Sequence, residues 1–503
     1  MKHTIIIIIL SLGLVFSGCL KEVLPSDAIT TATLTQSTEG LTKSVNGAYS
    51  LFKDHIEFNG TIDLNRMYLR QYFQLSDFAS DDIACGQVTT DPFFLSFTLD
   101  HTPTQSNTRY FWYISYKIIN NVNTVIEAGE KVKDPDEATQ QLIGECYFLR
   151  AFCNFNLVKF FAEPYTQNAS GPGIILRTST SDPAQKARAT VEEVYQSIIK
   201  DAEKGASLMN QSRGVQYATK EAAWALLSRA YLYKEDHDNT ILYSDKVINS
   251  GKFSLETASS FPSYFANATS RAATIFCIAF TDVDDYGKAS ISSMLYSDGN
   301  SGWGEEFASK SLRDSMATNP GDKRWSYIIP QKDGSGNVKK LNGIDIYYIS
   351  KFSFQNDNPS LSSPVMFRLA EMYLNKAEAE AKKGMISEAL NDVDMIRKNR
   401  GLENSLYNGA VPVGYQAIDI VLRERRFELA FEGHRSFDVY RNKKSMNRTY
   451  WGYHLPGLKE TDIVPSQNPS GYANMIVNPD NARVIYYIPV DETQANPLCT
   501  QNP

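Results

Sequence analysis

The feature that most limits how this chain can fold is a helical hairpin that occurs twice. Between residues 218 and 251, Ala222, Ala223, Ala225, Leu226, Leu227, Ala230, Tyr231 and Leu232 recur with the spacing of a buried helix face. The polar turn Glu235-Asp236-His237-Asp238 then leads to a second helix carrying Leu242, Tyr243, Val247 and Ile248 before Gly251. The design returns between residues 365 and 399: Phe367, Leu369, Ala370, Tyr373, Leu374, Ala377 and Ala379, a Lys382-Lys383-Gly384 turn, then Ala389, Leu390, Val393 and Ile396. Alanine leaves little side chain to hold two helices apart, so these positions read as helix crossings. A hairpin of this kind buries its apolar faces only by stacking on neighbours.

Two hairpins of about 34 residues with small residues at the crossing resemble tetratricopeptide units. Earlier helical patterns fit the same plan. One begins at Leu41, Val45, Ala48, Tyr49 and Phe52, and a second runs from Tyr110 to Ile126. A third spans Glu137 to Phe161 and is stopped by Pro164; a fourth spans Thr190 to Met209, with Thr190 as N-cap and Glu193 completing a capping box. Paired likewise, these give roughly three to four units. The predicted fold is mainly α: tetratricopeptide-like helix pairs within 41–254 and 364–445 form an α-α superhelix. A large loop-rich insertion occupies 255–363, and an irregular C-terminal segment occupies 446–503. The insertion carries Gly, Ser, Asn and Asp together with Tyr264, Tyr286, Tyr296, Trp303, Trp325, Tyr327, Tyr347 and Tyr348, and short runs such as Thr274 to Phe280 read as strands or loops.

The N-terminus is of another kind. Lys2 and His3 precede an apolar run from Ile5 to Phe16, broken only by Ser11 and Gly13, which suits a signal peptide and is short for a membrane span. Phe16-Ser17-Gly18-Cys19 resembles a lipobox, which implies cleavage after residue 18 and acylation of Cys19. Several acyl chains on Cys19 hold a protein firmly at a bilayer. Residues 1–18 are thus read as a lipoprotein signal, 19–40 as lipidated terminus and tether, and 41–503 as a single domain; Lys21-Glu22 resembles a surface-export signal. The 503 residues carry a net charge of -7 with no basic stripe, which argues against a nucleic-acid partner. The remaining cysteines, Cys85, Cys146, Cys153, Cys277 and Cys499, are odd in number and lack CxxC spacing, so they suggest neither a disulfide framework nor a zinc site.

Ordered blocks along the chain resemble the SusD/RagB family. They are Glu145-Cys-Tyr-Phe-Leu-Arg-Ala-Phe, Asn156-Leu-Val-Lys-Phe-Phe, Thr219-Lys-Glu-Ala-Ala, Arg368-Leu-Ala-Glu-Met-Tyr-Leu-Asn-Lys-Ala-Glu-Ala and Ile396-Arg-Lys-Asn-Arg-Gly-Leu. Glu424-Arg-Arg-Phe-Glu-Leu-Ala-Phe-Glu-Gly-His-Arg-Ser-Phe-Asp-Val-Tyr-Arg follows, then Tyr487-Ile-Pro and Asn496-Pro. The resemblance implies a lipid-anchored protein on the exterior face of the outer membrane. Such a protein binds a glycan without cleaving it and works with a SusC-like TonB-dependent barrel. Peptide capture within the same family is the nearest alternative, and a helical glycoside hydrolase is a more distant one.

Glu424, Glu428 and Glu432 fall four apart beside Arg423, Arg425, Arg426, Arg435 and Arg441, which predicts an ion-paired helix face. A glycosidase needs instead one carboxyl that keeps its proton and a second about 5–10 Å away. The histidines show no metal spacing, and no phosphate-cradling glycine loop or GxSxG is present. No cofactor is expected, and whether a calcium ion braces the loops is left open. A sugar offers a C–H face to an aromatic ring and a hydroxyl rim to polar side chains. Trp303, in Ser297-Asp-Gly-Asn-Ser-Gly-Trp-Gly, is therefore the leading ligand contact, with Tyr296 beside it; Phe93 and Phe94, near Asp81 and Asp82, form the second candidate group.

Overall fold

The structure, a computed structural model, describes residues 37–87, 91–448 and 476–503, so the signal segment, Cys19 and residues 20–36 lie outside the described residues. Helix α1 (Thr38–Ser50) begins where the Ser37 hydroxyl accepts from the Gly40 N–H. It is followed by α2 (Tyr68–Asp77), α3 (Ser106–Gly129), α4 (Glu137–Phe161), α5 (Val191–Leu208), α6 (Lys220–Lys234) and α7 (His237–Ile248). Short polar caps fix most starts: Asp136 accepts from Thr139, Thr219 from Ala222, and Asp236 from Asn239. Thr190 and Glu193 form the expected reciprocal box. The turn between α6 and α7 is tighter than the sequence suggests, because Glu235 takes a left-handed conformation (φ 59°) and α7 starts at His237.

Helix α4 is the axis of the molecule, buried on nearly every face and packed between α3 and α5. Its crossing with α5 depends on two glycines: a Cβ on Gly205 would lie 2.9 Å from the Gly144 carbonyl oxygen, and one on Gly144 only 2.6 Å from Met209. From α5 the stack continues through α6 and α7, where Ala222, Ala223, Ala225 and Ala230 are fully buried.

The insertion contains α8 (Lys310–Met316) and is stitched by short antiparallel strand pairs: β1 (Ile83–Cys85) with β3 (Glu306–Ala308), β2 (Thr274–Cys277) with β8 (Val365–Arg368), β4 (Ile328–Pro330) with β7 (Tyr347–Ile349), and β5 (Lys340–Leu341) with β6 (Ile344–Asp345). Another pair, β9 (Met446–Asn447) with β10 (Ile476–Val477), lies near the C-terminus. The second hairpin therefore starts later than the sequence pattern indicates. Val365 to Arg368 are extended against β2, and Phe367 packs on Phe152 at 6.0 Å; only at Leu369 does α9 (Leu369–Lys382) begin, returning as α10 (Ile386–Lys398). Helices α11 (Ala417–Glu428) and α12 (Arg435–Arg441) close the stack.

One expectation about this region is corrected. Glu432 does not share a helix with Glu424 and Glu428, since α11 ends at Glu428 and the chain turns through Phe431 (φ 68°) and Gly433 (φ 78°). Helix α2 was not anticipated; its polar face, Arg70, Gln71, Gln74 and Asp77, is buried along with its apolar one.

Candidate functional site

Strand β3, pinned register-to-register against β1, is the base from which the 297–304 loop rises. Asp298 shapes that loop: its Oδ1 accepts from the N–H groups of Asn300 (2.9 Å) and Ser301 (2.8 Å) and from the Ser301 hydroxyl (2.9 Å). These donors bring the Asp298 carboxyl down to about 2. The N–H groups of Trp303 and Gly304 both donate to the Ser293 carbonyl, at 2.6 and 2.9 Å. A Cβ on Gly302 would stand 2.2 Å from the Tyr296 carbonyl oxygen, so only glycine lets the loop close this tightly.

Held in this way, the Trp303 indole is 55% exposed. Lys288 Nζ lies 4.4 Å from its ring centre. Tyr296 is half-buried at the foot of the loop, edge-on to Tyr348 (5.5 Å) and Phe354 (5.0 Å). An aromatic plane open to solvent and flanked by an ammonium is suited to the C–H face of a sugar. Lys288 and Phe354 escaped sequence reading because they reach the site from separate loops.

The second candidate group is not a surface site. Phe93 is fully buried, with Phe78 at 5.7 Å and the Arg70 guanidinium 5.8 Å from its ring, and Phe94 is half-buried. Asp81 and Asp82 are buried beneath α11 and α12. Arg435 donates to both Asp81 oxygens at 2.6 and 2.9 Å, and Arg426 donates to Asp82 at 2.7 Å. Burial would raise the Asp81 carboxyl, but Arg426 and Arg435 outweigh it and bring it to about 2; at Asp82 burial wins and the shift is upward. These two acids are committed to arginines rather than offered to a ligand. Glu305 and Glu306 are also adjacent acids; Glu306 is fully buried opposite Cys85, and burial with Glu305 nearby lifts its carboxyl well above the usual range.

The acids at the end of α11 form the expected ion network, although with different partners. Glu424 meets Arg324 (2.7 Å) and Arg397 (2.9 Å), Glu428 meets Arg368 and Arg400 (both 2.6 Å), and Glu432 meets Lys351 (2.6 Å) and Arg368 (2.7 Å). Arg425 and Arg441 pair instead with Asp438. Burial opposes ionisation of Glu428 and Glu432, yet the surrounding cations hold both carboxyls below the usual range, which removes them as proton donors. Among the described residues no group of three or more His, Cys, Asp or Glu is placed to hold a metal ion.

Comparison with known proteins agrees along most of the chain. Residues 32–232 match a family described as starch-binding associating with outer membrane, and residues 300–503 match the SusD family. SusD-like protein P38 of Formosa agariphila is 24% identical over 494 residues, covering 88% of this chain and 91% of that protein. A SusD superfamily protein from Bacteroides thetaiotaomicron superposes with a TM-score of 0.80 at 24% identity, covering 93% of this chain and 100% of the other. A putative sugar binding protein from Bacteroides vulgatus gives 0.75 at 23% identity, covering 92% and 98%. With its helical stack, its ordered sequence blocks and these matches to both halves, the chain belongs to the SusD/RagB family.

Proposed function

We propose that this protein is a non-catalytic, cell-surface glycan-binding lipoprotein that presents oligo- or polysaccharide to a SusC-like TonB-dependent barrel. The observation that carries the reading is the Trp303 platform, an exposed indole on a loop locked by Asp298 and Gly302 and backed by Tyr296. Family membership supports the cargo class, since one matching family is described as starch-binding and one structural neighbour as a putative sugar binding protein. Acylated Cys19 would fix the protein to the outer membrane, facing outward; among the described residues no helix is long and apolar enough to cross a bilayer. The ionised, arginine-paired acids of α11 support binding without cleavage. Calorimetry against a glycan panel tests the reading. A glycan should bind, Trp303→Ala should weaken it about tenfold or more, as the loss of one stacking aromatic does, and no product should form on incubation. Hydrolysis of the bound glycan, or equal affinity in the variant, would overturn it.

A further inference from the structure

The Trp303 platform carries one cation without a counter-ion. Lys288 is exposed, and its Nζ lies over the Trp303 ring, 4.4 Å from its centre. Among the described residues no carboxylate lies within ion-pairing distance of this ammonium, and no hydrogen-bond acceptor meets it. The acids that precede it in the same segment are held by other groups: Asp282 by the Asn356 amide at 2.8 Å, Asp284 by Lys53 at 2.7 Å and Asp285 by the Ser360 hydroxyl at 2.7 Å. Only Lys53 among these partners is a cation, so the surface offers a ligand one ammonium in contact with an aromatic face rather than a basic field.

The ring holds that ammonium weakly. A cation over an exposed aromatic gains a factor of about two to five, whereas a hydrogen bond between an ammonium and an oxyanion is worth about tenfold or more. Lysine can pass from one to the other, since its four-carbon stem is flexible and its three donors rotate. Two kinds of sugar therefore meet the platform differently. A neutral sugar that stacks on Trp303 has to displace the ammonium from the ring and offers it only hydroxyls, which serve an ammonium no better than water does. A sugar that carries an oxyanion takes the ring with its C–H face and the displaced ammonium with its acid.

We infer that the Trp303 platform selects acidic sugars, with Lys288 leaving the indole to pair with a carboxylate or sulfate ester. The inference rests on the glycan-binding function proposed above and names the class of glycan. Calorimetry on the purified full-length protein tests it with two matched pairs: tetragalacturonate and its carboxyl-reduced form, and a sulfated galactan tetrasaccharide and its desulfated form. The acidic member of a pair should bind more tightly and weaken with added salt; a preference in one pair alone tells carboxylate from sulfate. Lys288→Gln should weaken the acidic probe about tenfold and leave its neutral twin unchanged or up to about fivefold tighter, with a melting temperature equal to the parent's. Trp303→Ala should weaken both. Neutral twins that bind as tightly as the acidic probes, or a Lys288→Gln variant that keeps its affinity for them or loses both members alike, overturn the selectivity and leave the platform standing if Trp303 is still needed. Acidic probes that need Lys288 but not Trp303, or no binding by any of the four, refute the platform and this inference together.

Discussion

At the junction of α7, α9 and α10 one ammonium serves three carboxylates. Lys376 Nζ lies 3.1 Å from Asp245, 3.5 Å from Asp392 and 3.7 Å from Glu380. Burial, then the neighbouring Asp392, raise the Glu380 carboxyl from 4.5 to about 8, and burial raises Asp392 as well. Between these two values the folded protein keeps a proton that the unfolded chain has released. Stability must therefore fall as pH rises from about 4.5 to 8 and level off above that. A displacement of this size has a ceiling of ~5 kcal/mol. Asp245 and Asp392 both reach solvent, and screening reduces the expected loss to about 1–2 kcal/mol. Asp392→Asn removes the like charge and gives Glu380 an amide donor. Its thermal and denaturant midpoints should match the parent at pH 5 and exceed it at pH 9. Parallel stability profiles for the two proteins from pH 5 to 9 would refute the argument.

The other predictions probe packing and buried charge. Gly205→Ala should lower the melting temperature, at a cost of about 1–3 kcal/mol that outweighs the ~1 kcal/mol helix preference of alanine, because the new Cβ meets the Gly144 carbonyl oxygen at 2.9 Å; a variant as stable as the parent would mean that α4 and α5 can part freely. Lys159 is buried with Tyr72, Phe155 and Phe437 rings 4.6–5.2 Å from its Nζ and has no carboxylate in ion-pairing distance among the described residues, and burial pushes its ammonium well down. Lys159→Met should stabilise by about 1 kcal/mol at pH 7, more at pH 6 than at pH 9, since the unfolded lysine is protonated throughout; a loss at pH 6 would contradict it. Glu428→Gln should cost about 3–5 kcal/mol by leaving Arg368 and Arg400 without their shared charge, read as a drop in melting temperature; a change under 1 kcal/mol would refute it.

The helical half of the fold was legible because its helices have two faces or clear caps. The bounds of α4 fall at Glu137 and Phe161, as Asp136 before it and Pro164 beyond it suggest. Periodicity failed where an apolar run is short: Val365 to Arg368 suits a strand as well as a helix, and the partner that decides, β2, lies some ninety residues earlier. The same limit governs the site. Trp303 stands out because a Gly/Ser/Asn segment makes a poor core for an indole, and that reasoning is local. Asp81 and Asp82 looked similar in sequence, but they are covered by Arg426 and Arg435, more than 300 residues away.

The buried charges bear on the site through the insertion. Arg324 and Lys351 belong to the insertion and Arg368 ends β8, while of the acids they meet, Glu424 and Glu428 lie on α11 and Glu432 in the turn between α11 and α12. An apolar contact would allow the insertion to slide on the stack; the fork of two hydrogen bonds from Arg368 to Glu432 favours a single register. Arg368 makes the link twice over, joining Glu428 and Glu432 from the residue where β8 becomes α9. Lys351 lies two residues beyond β7, the strand that carries Tyr348 beneath Tyr296. From the core outward, Glu432 and the Glu428 carbonyl hold Lys351 just beyond β7, β7 carries Tyr348, and Tyr348 lies against Gly304 in the loop that presents Trp303. Carboxylates spaced as in a hydrolase motif therefore act in this fold as anchors between the insertion and the helical stack.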